Sequence, residues 1–177
     1  DIAKLEDYCK DYIASLPQAD FELAVLRSAT GTLKAAFEAD PSYATKVLSV
    51  ERGGDKPRKD LAKWSDVAEV YGYFFDEEFE VDFKGRVNEQ LKDIPASGQD
   101  EVAKEFIKTY AATDDQATWF DKLKSLAVAC QFASVNKAVK ATPEKFKGNL
   151  ADFARILRVK LTGKNQTPDL WTIMGVM

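Results

Sequence analysis

The sequence predicts an all-α protein built from two packed helical subdomains. Three observations carry that prediction. Apolar residues recur at three- and four-residue steps through most of the chain, the period of an amphipathic helix. Capping and breaking residues punctuate those runs at intervals that suit short helices. Strand-like alternation never lasts more than a few residues, "RVKLTG" (158–163) being the nearest approach. With 177 residues, 45% of them hydrophobic, the chain can bury a core in one domain or two small ones.

The elements follow in order. Ile2, Leu5, Tyr8/Cys9, Tyr12 and Leu16 form one helical stripe, which Pro17 ends. Phe21, Val25 and Ala29 mark a second segment, weakened at Gly31. In "DPSYATKVL", Asp40 is placed to cap a helix with Pro41 at its first position. "ERGGDKPRKD", Glu51 to Asp60, reads as a loop. Asp60 is then expected to cap a helix carrying Leu61, Trp64, Val67/Ala68, Tyr71 and Phe74/Phe75 on one stripe. "DEEFEVDFKG" is acidic and suits either an extended segment or a helix start. A helix from about Phe83 to Leu91 ends at "DIPASGQD", the clearest internal linker, which divides the chain into subdomains 1–95 and 96–177.

Beyond it, Val102, Phe106/Ile107 and Tyr110 define one helix. Thr113, Asp114 and Asp115 open another through Trp119/Phe120, Leu123, Leu126/Ala127 and Cys130. "TPEKF" offers a cap with Pro143 at the first position. Leu150, Phe153/Ala154 and Leu157 lead to the corner "TGKNQTPDL". There Gly163 permits a left-handed backbone and Thr167–Pro168 reads as the start of a last helix.

Composition narrows the chemistry. The chain has no histidine, which removes histidine general bases, Ser-His-Asp and Cys-His pairs and most zinc sites. Cys9 and Cys130 lie in apolar helical patterns and read as small buried hydrophobes in a reducing compartment. The 29 acidic residues of a helical protein suit a solvated surface. No catalytic residue and no metal site is expected. No run approaches a membrane span, so no membrane partner is expected either. The chain begins on Asp and ends on "MGVM", and reads as a piece of a longer protein.

Charge is unevenly spread. The net charge is −4. Yet Ser134–Lys164 holds eight cations (Lys137, Lys140, Lys145, Lys147, Arg155, Arg158, Lys160, Lys164) against Glu144 and Asp152, a local +6, leaving −10 for the remainder. A smaller basic knot comprises Arg52, Lys56, Arg58, Lys59 and Lys63. A basic patch on an acidic protein suits a polyanion met at one face; the plainer alternative is that these lysines are the polar faces of helices. Arg158, flanked by Leu157 and Val159, is suited to bidentate or stacking contacts. Hydroxyl and amide groups beside Pro168 and Leu170 could read an unstacked base, and a helix cap explains the same residues.

These residues carry a resemblance. "LRVKLTGKNQTPDL", Leu157 to Leu170, resembles the pattern L-R-x-x-L-T-G-x-x-x-T/S-P-x-L of the C-terminal anticodon-binding region of bacterial-type glutamyl-tRNA synthetases, and the spacing matches without a gap. "FKGNLADFARI" resembles the segment leading into that motif. "PRKDLAKWSDVAEVYGYFFDEEF", Pro57 to Phe79, is similar to an earlier family helix ending in aromatic and acidic residues.

The resemblance implies an all-helical cage of two anticodon-binding subdomains, a tRNA-Glu anticodon stem-loop as partner, a monomer, and a cytoplasmic location. It implies that Arg158 contacts anticodon bases, and that Thr167, Pro168 and Leu170 form the turn that reads the second and third positions. Lys160 and Lys164 become backbone-steering cations. Arg58, with Arg52 second, matches the arginine that inspects the first anticodon base. Cys130 stands where some members carry a basic residue. In the family, ATP and Mg²⁺ belong to a separate catalytic domain whose HIGH-type and KMSKS-type motifs are absent here, so the chain should need no cofactor and be inactive alone. The competing expectation is a helical protein-interaction module with a basic face, docking through Trp64, Tyr71 and Phe75.

Overall fold

The computed structural model describes residues 1–177, apart from the side chains of Asn136 and Pro143. The expected proline start is a 3₁₀ turn, Pro143–Lys145, rather than an α-helix. Helices dominate, with one two-residue strand pair among the described residues, and the chain forms two compact units: Asp1–Asp82 with Val176–Met177, and Phe83–Gly175. The expected boundary at 95/96 falls inside the second unit.

In the first unit, α1 (Ile2–Ser15), α2 (Gln18–Ser28), α3 (Gly31–Ala39) and α4 (Pro41–Leu48) follow one another with minimal connections. Their punctuation is as the sequence suggested. Pro17 follows α1, and Asp40 Oδ1 accepts the Tyr43 N–H at 2.9 Å with Pro41 at the first helical position. Phe21, Val25, Phe37 and Val47 are fully buried. Aromatic edges close the core, with Phe75 5.2 Å from Phe37 and 5.5 Å from Tyr43, centroid to centroid. The stripe expected on α1 behaves differently. Its helix forms, but Ile2, Leu5, Tyr8 and Tyr12 are exposed, and only Ile13 and Ala14 are buried.

The segment after the 51–60 loop departs from the expected single helix. A 3₁₀ turn (Trp64–Asp66) leads to α5 (Val67–Tyr71), a second 3₁₀ turn (Gly72–Phe74), α6 (Asp76–Glu78) and a π-helical turn (Phe79–Phe83). Asp60 is no cap: it pairs with Arg58, while the Asp66 carboxylate accepts the Ala62 and Lys63 N–H groups at 3.2 Å. The reason is the burial pattern. Tyr71, Gly72, Tyr73, Phe74 and Phe75 are all buried. A regular helix turns about 100° per residue and cannot bury five consecutive residues against one core.

The second unit contains α7 (Val87–Gln90), α8 (Ala96–Thr109), α9 (Gln116–Ala129), β1 (Phe132–Ala133), α10 (Asn136–Ala141), β2 (Gly148–Asn149), α11 (Leu150–Thr162) and α12 (Leu170–Met174). Asp115 caps α9 by accepting the Thr118 N–H at 2.7 Å. β1 and β2 pair in parallel, Phe132 opposite Gly148 and Ala133 opposite Asn149. α11 packs on α8, on α9 and on both strands. Its buried face is Phe153, Ile156, Leu157 and Val159, with Phe132 edge-on to Phe153 at 5.5 Å. "RVKLTG" is therefore not extended: through Thr162 it is the last turn of α11, because its brief alternation is embedded in this longer helical period.

Candidate nucleic-acid interface

The corner after α11 is built from local chemistry. Asn149 and Asp152 form a reciprocal capping box that starts the helix. Asn149 Oδ1 accepts from Ala151 N and Asp152 N at 2.7 and 3.1 Å, and Asp152 Oδ2 accepts from Asn149 N at 2.8 Å. Thirteen residues later α11 stops at Gly163, at φ +65° in the left-handed region. A Cβ there would stand 2.5 Å from the Phe83 carbonyl oxygen, so only glycine fits without a backbone shift. Buried Thr162 braces the exit: its hydroxyl donates to the Arg158 carbonyl at 2.7 Å and accepts the Lys164 N–H at 3.1 Å.

Downstream, the cap of α12 is Asp169, which accepts from Thr172 N at 3.0 Å. The sequence reading of Thr167–Pro168 as the helix start is corrected here. Thr167 is instead occupied by Arg158, whose Nε donates to the Thr167 hydroxyl oxygen at 3.0 Å. Pro168 and Leu170 are buried, and α12 is tied to the 110–114 segment by Trp171 Nε1 on the Asp114 carbonyl at 3.3 Å.

The two arginines of α11 have opposite fates. Arg155 is a structural clasp. Its Nη1 and Nη2 grip Asp93 at 2.7 and 2.9 Å, its Nη2 also donates to the Gln90 carbonyl, and its Nε reaches Asn165 Oδ1 at 3.0 Å. Asn165 in turn donates to the Gln90 side chain. The Arg155 hydrogen bonds pull Asp93 below the usual carboxylate range, and Asp93 raises Arg155 in return. Arg158, half-buried three residues on, has its Nε held but finds no carboxylate. Among the described residues, neither Nη atom of Arg158 has an acceptor.

Other cations sort the same way. Lys160 pairs with Asp100 at 2.9 Å and holds that carboxyl below its ordinary range; Lys147 pairs with Glu101 at 2.5 Å. Lys164 lies at the exit from α11, half-buried. Lys137, Lys140 and Lys145 are exposed, with no ion pair among the described residues. Cys130 is buried and its thiol pushed up by desolvation; both cysteines are free.

In the first unit, Arg58 Nε lies 2.5 Å from Asp60 and its Nη1 3.3 Å from Glu51. Burial lowers its pKa and these carboxylates raise it, with a net rise. Arg52 is a scaffold residue. Its guanidinium stacks 3.5 Å over the Phe21 ring, and its Nη2 donates to the Ile13 and Leu16 carbonyls at 3.1 and 3.2 Å, stitching down the end of α1. The aromatic stripe proposed as a docking surface is core instead: Tyr71 and Phe75 are buried, and half-buried Trp64 lies 6.1 Å from Phe21. Among the described residues no cluster of three or more metal-ligating side chains occurs, and no helix is long and apolar enough to cross a membrane.

Sequence reasoning missed Asp93 and Gln90, which position the corner, and read the Asn165 amide as a base reader where it holds Arg155 and Gln90. Nothing local marks a pair 62 residues apart. It also missed the Asn149–Asp152 box, which the N-x-x-D spacing does signal.

Comparison with curated sequences places this helical chain among the aminoacyl-tRNA synthetases. Its relatives narrow the class. Glutamate–tRNA ligases of Acetivibrio thermocellus, Clostridium beijerinckii and Clostridium perfringens (strain 13) are 31%, 32% and 34% identical to it, each over the whole of this chain and over 32%, 32% and 33% of their own length. The chain belongs to the glutamate–tRNA ligase family, as a homologue of the C-terminal portion of its members, and it spans about a third of the length of the curated relatives it matches. No family model matches it, and no solved structure does.

Proposed function

We propose that this chain recognises the anticodon stem-loop of tRNA-Glu, as a monomer in the cytoplasm. The observation that carries the proposal is Arg158: a half-buried guanidinium whose Nε is fixed by Thr167 while its outer fork has no acceptor among the described residues. A planar fork held at its base loses little freedom when it donates two parallel bonds to a base edge or a phosphate. Buried Pro168 and Leu170 anchor the adjacent turn from below, so that it is held rigid where it would meet an unstacked base. Thr167, Pro168 and Leu170 thus form the reading turn, and Lys164 and the ion-paired Lys160 border it. In the first unit Arg58 is the candidate for the first anticodon position, with Arg52 second; RNA there has to compete with Asp60 and Glu51 for the Arg58 guanidinium, and in Arg52 with the Phe21 ring and two carbonyls. Adenylate formation with ATP and Mg²⁺ is assigned to the part of the relatives that this chain does not span. The chain should bind without charging.

The test is the affinity of the chain for a synthetic stem-loop bearing a glutamate anticodon and for one with the three anticodon bases exchanged. The wild type should prefer the first. Arg158→Gln should cost roughly 5- to 150-fold of that preference, about 1–3 kcal/mol, as for the loss of a bidentate base contact. Equal affinity of the wild type for both hairpins would sink the proposal.

A further inference from the structure

We infer that Lys137, Lys140 and Lys145 form a contact surface for RNA backbone phosphates, separate from the base-reading corner and independent of anticodon sequence. The inference rests on the RNA-binding reading above and adds a second site to it. Its basis is a charge census of the basic stretch Ser134–Lys164. Carboxylates already neutralise three of its cations: Asp93 holds Arg155, Asp100 holds Lys160 and Glu101 holds Lys147. Each of these pairs joins α11, or the strand leading into it, to α8 or to the turn between α7 and α8, so those cations are scaffold.

Lys137, Lys140 and Lys145 are different. All three are exposed and have no ion pair among the described residues, and Glu144 is the sole acid between Ser134 and Asn149. Lys137 and Lys140 are three residues apart on α10, hence on one helical face, and Lys145 follows within the next turn. α10 packs on both strands, and the same strands pack on α11, the helix of Arg158. The surface thus belongs to the same folded unit as the reading arginine.

Long flexible ammonium groups without fixed partners suit phosphates, which need charge but little geometry. An RNA meets such a surface by releasing counterions, and that release sets a measurable salt slope. An acidic protein is the other polyanion the surface could meet. RNA is favoured because the free guanidinium fork and apolar turn on α11 suit a base, which an acidic peptide lacks.

The experiment measures binding of the two hairpins to the chain and to its Lys137→Gln/Lys140→Gln/Lys145→Gln variant, from 50 to 200 mM salt. All three side chains are exposed, and circular dichroism should report an unchanged fold. The variant should bind both hairpins more weakly by one common factor. The slope of log K against log salt should become shallower by about 2, at roughly 0.7 for each phosphate that is no longer neutralised, so the gap between wild type and variant closes roughly 20-fold over that range.

An unchanged slope overturns the inference and leaves the Arg158 reading standing. A shallower slope in a chain that binds both hairpins equally keeps the phosphate surface and overturns the anticodon reading. Failure of the wild type to bind either hairpin overturns both. Loss of poly-L-glutamate binding with hairpin binding intact also overturns the inference, in favour of an acidic protein partner.

Discussion

Replacing Gly163 with Ala tests the geometry of the corner directly. Two terms oppose the methyl group. The first is conformational: at φ +65° an L-residue with a Cβ costs about 1–2 kcal/mol. The second is steric. The Cβ would lie 2.5 Å from the Phe83 carbonyl oxygen and 2.9 Å from the Phe83 Cβ. Neither obstacle is the free end of a flexible side chain, so relief requires moving backbone. Overpacking of that kind costs about 1–3 kcal/mol. Together the terms predict a loss of about 2–5 kcal/mol, a large share of the roughly 5–15 kcal/mol that holds a domain together.

The assay is urea denaturation, read as a lowered midpoint at constant slope. Gly163→Asn separates the two terms. Asparagine tolerates the left-handed region, so most of the first term vanishes while the second stays. It should still lose about 1–3 kcal/mol. A Gly163→Ala loss below about 1 kcal/mol would refute the reasoning altogether. A wild-type-like Gly163→Asn would show that the dihedral angle, and not the approach of Phe83, is what demands glycine.

Three further outcomes are expected. Asp93→Asn breaks the bidentate grip on Arg155. Because Asp93 sits below its ordinary 3.8, its stabilising effect is present above that pH and fades as pH falls past it. Thermal melts should therefore separate wild type from variant at pH 6 and converge below pH 3.8. Tyr71, pushed by burial from 10.0 up to about 12, favours the folded state below pH 10 and loses that effect as pH rises towards 12. The wild type should give up about 2–3 kcal/mol across that window, and Tyr71→Phe should flatten the decline in melts run from pH 9 to 12. Asp115→Ala removes the cap of α9 and should cost about 1 kcal/mol in urea titrations.

What the sequence made legible depended on whether a signal was local. α1, the start of α2 and α4 were readable because their boundaries are written within four residues, by Pro17, Asp40 or Pro41. Gly163 was readable for the same reason. α3 was not, since no side chain caps it and Gly31 reads as a break. Where two local signals competed, packing decided. Thr167 and Asp169 are both good caps, and Asp169 took the role because the Thr167 hydroxyl was already accepting from Arg158. The 61–86 region failed because its aromatic residues are too dense for one helical stripe, and the chain answered by breaking helix into 3₁₀ and π turns. The apolar stripe of α1 shows the reverse error: period predicted the helix correctly, but a period does not say that anything covers the face.

Arg155 and Arg158 make the same point for function. They are one residue type, one helical turn apart, in one short stretch of one helix, and composition cannot rank them. Their partners do. Arg155 reaches the Gln90–Asp93 segment, where a carboxylate and a carbonyl, with the Asn165 amide oxygen, saturate it; it can offer nothing to a ligand without dismantling the corner. Arg158 meets the exit of its own helix, where the described residues supply a hydroxyl oxygen for Nε and no anion for the rest. A neutral partner orients a guanidinium without spending its charge. That difference assigns one arginine to holding the turn and the other to using it. The same criterion separates Lys147 and Lys160, which are committed to carboxylates, from the three open lysines around α10. Charge counted along the chain locates a basic region; the carboxylates that answer each cation determine which part of it is left for a ligand.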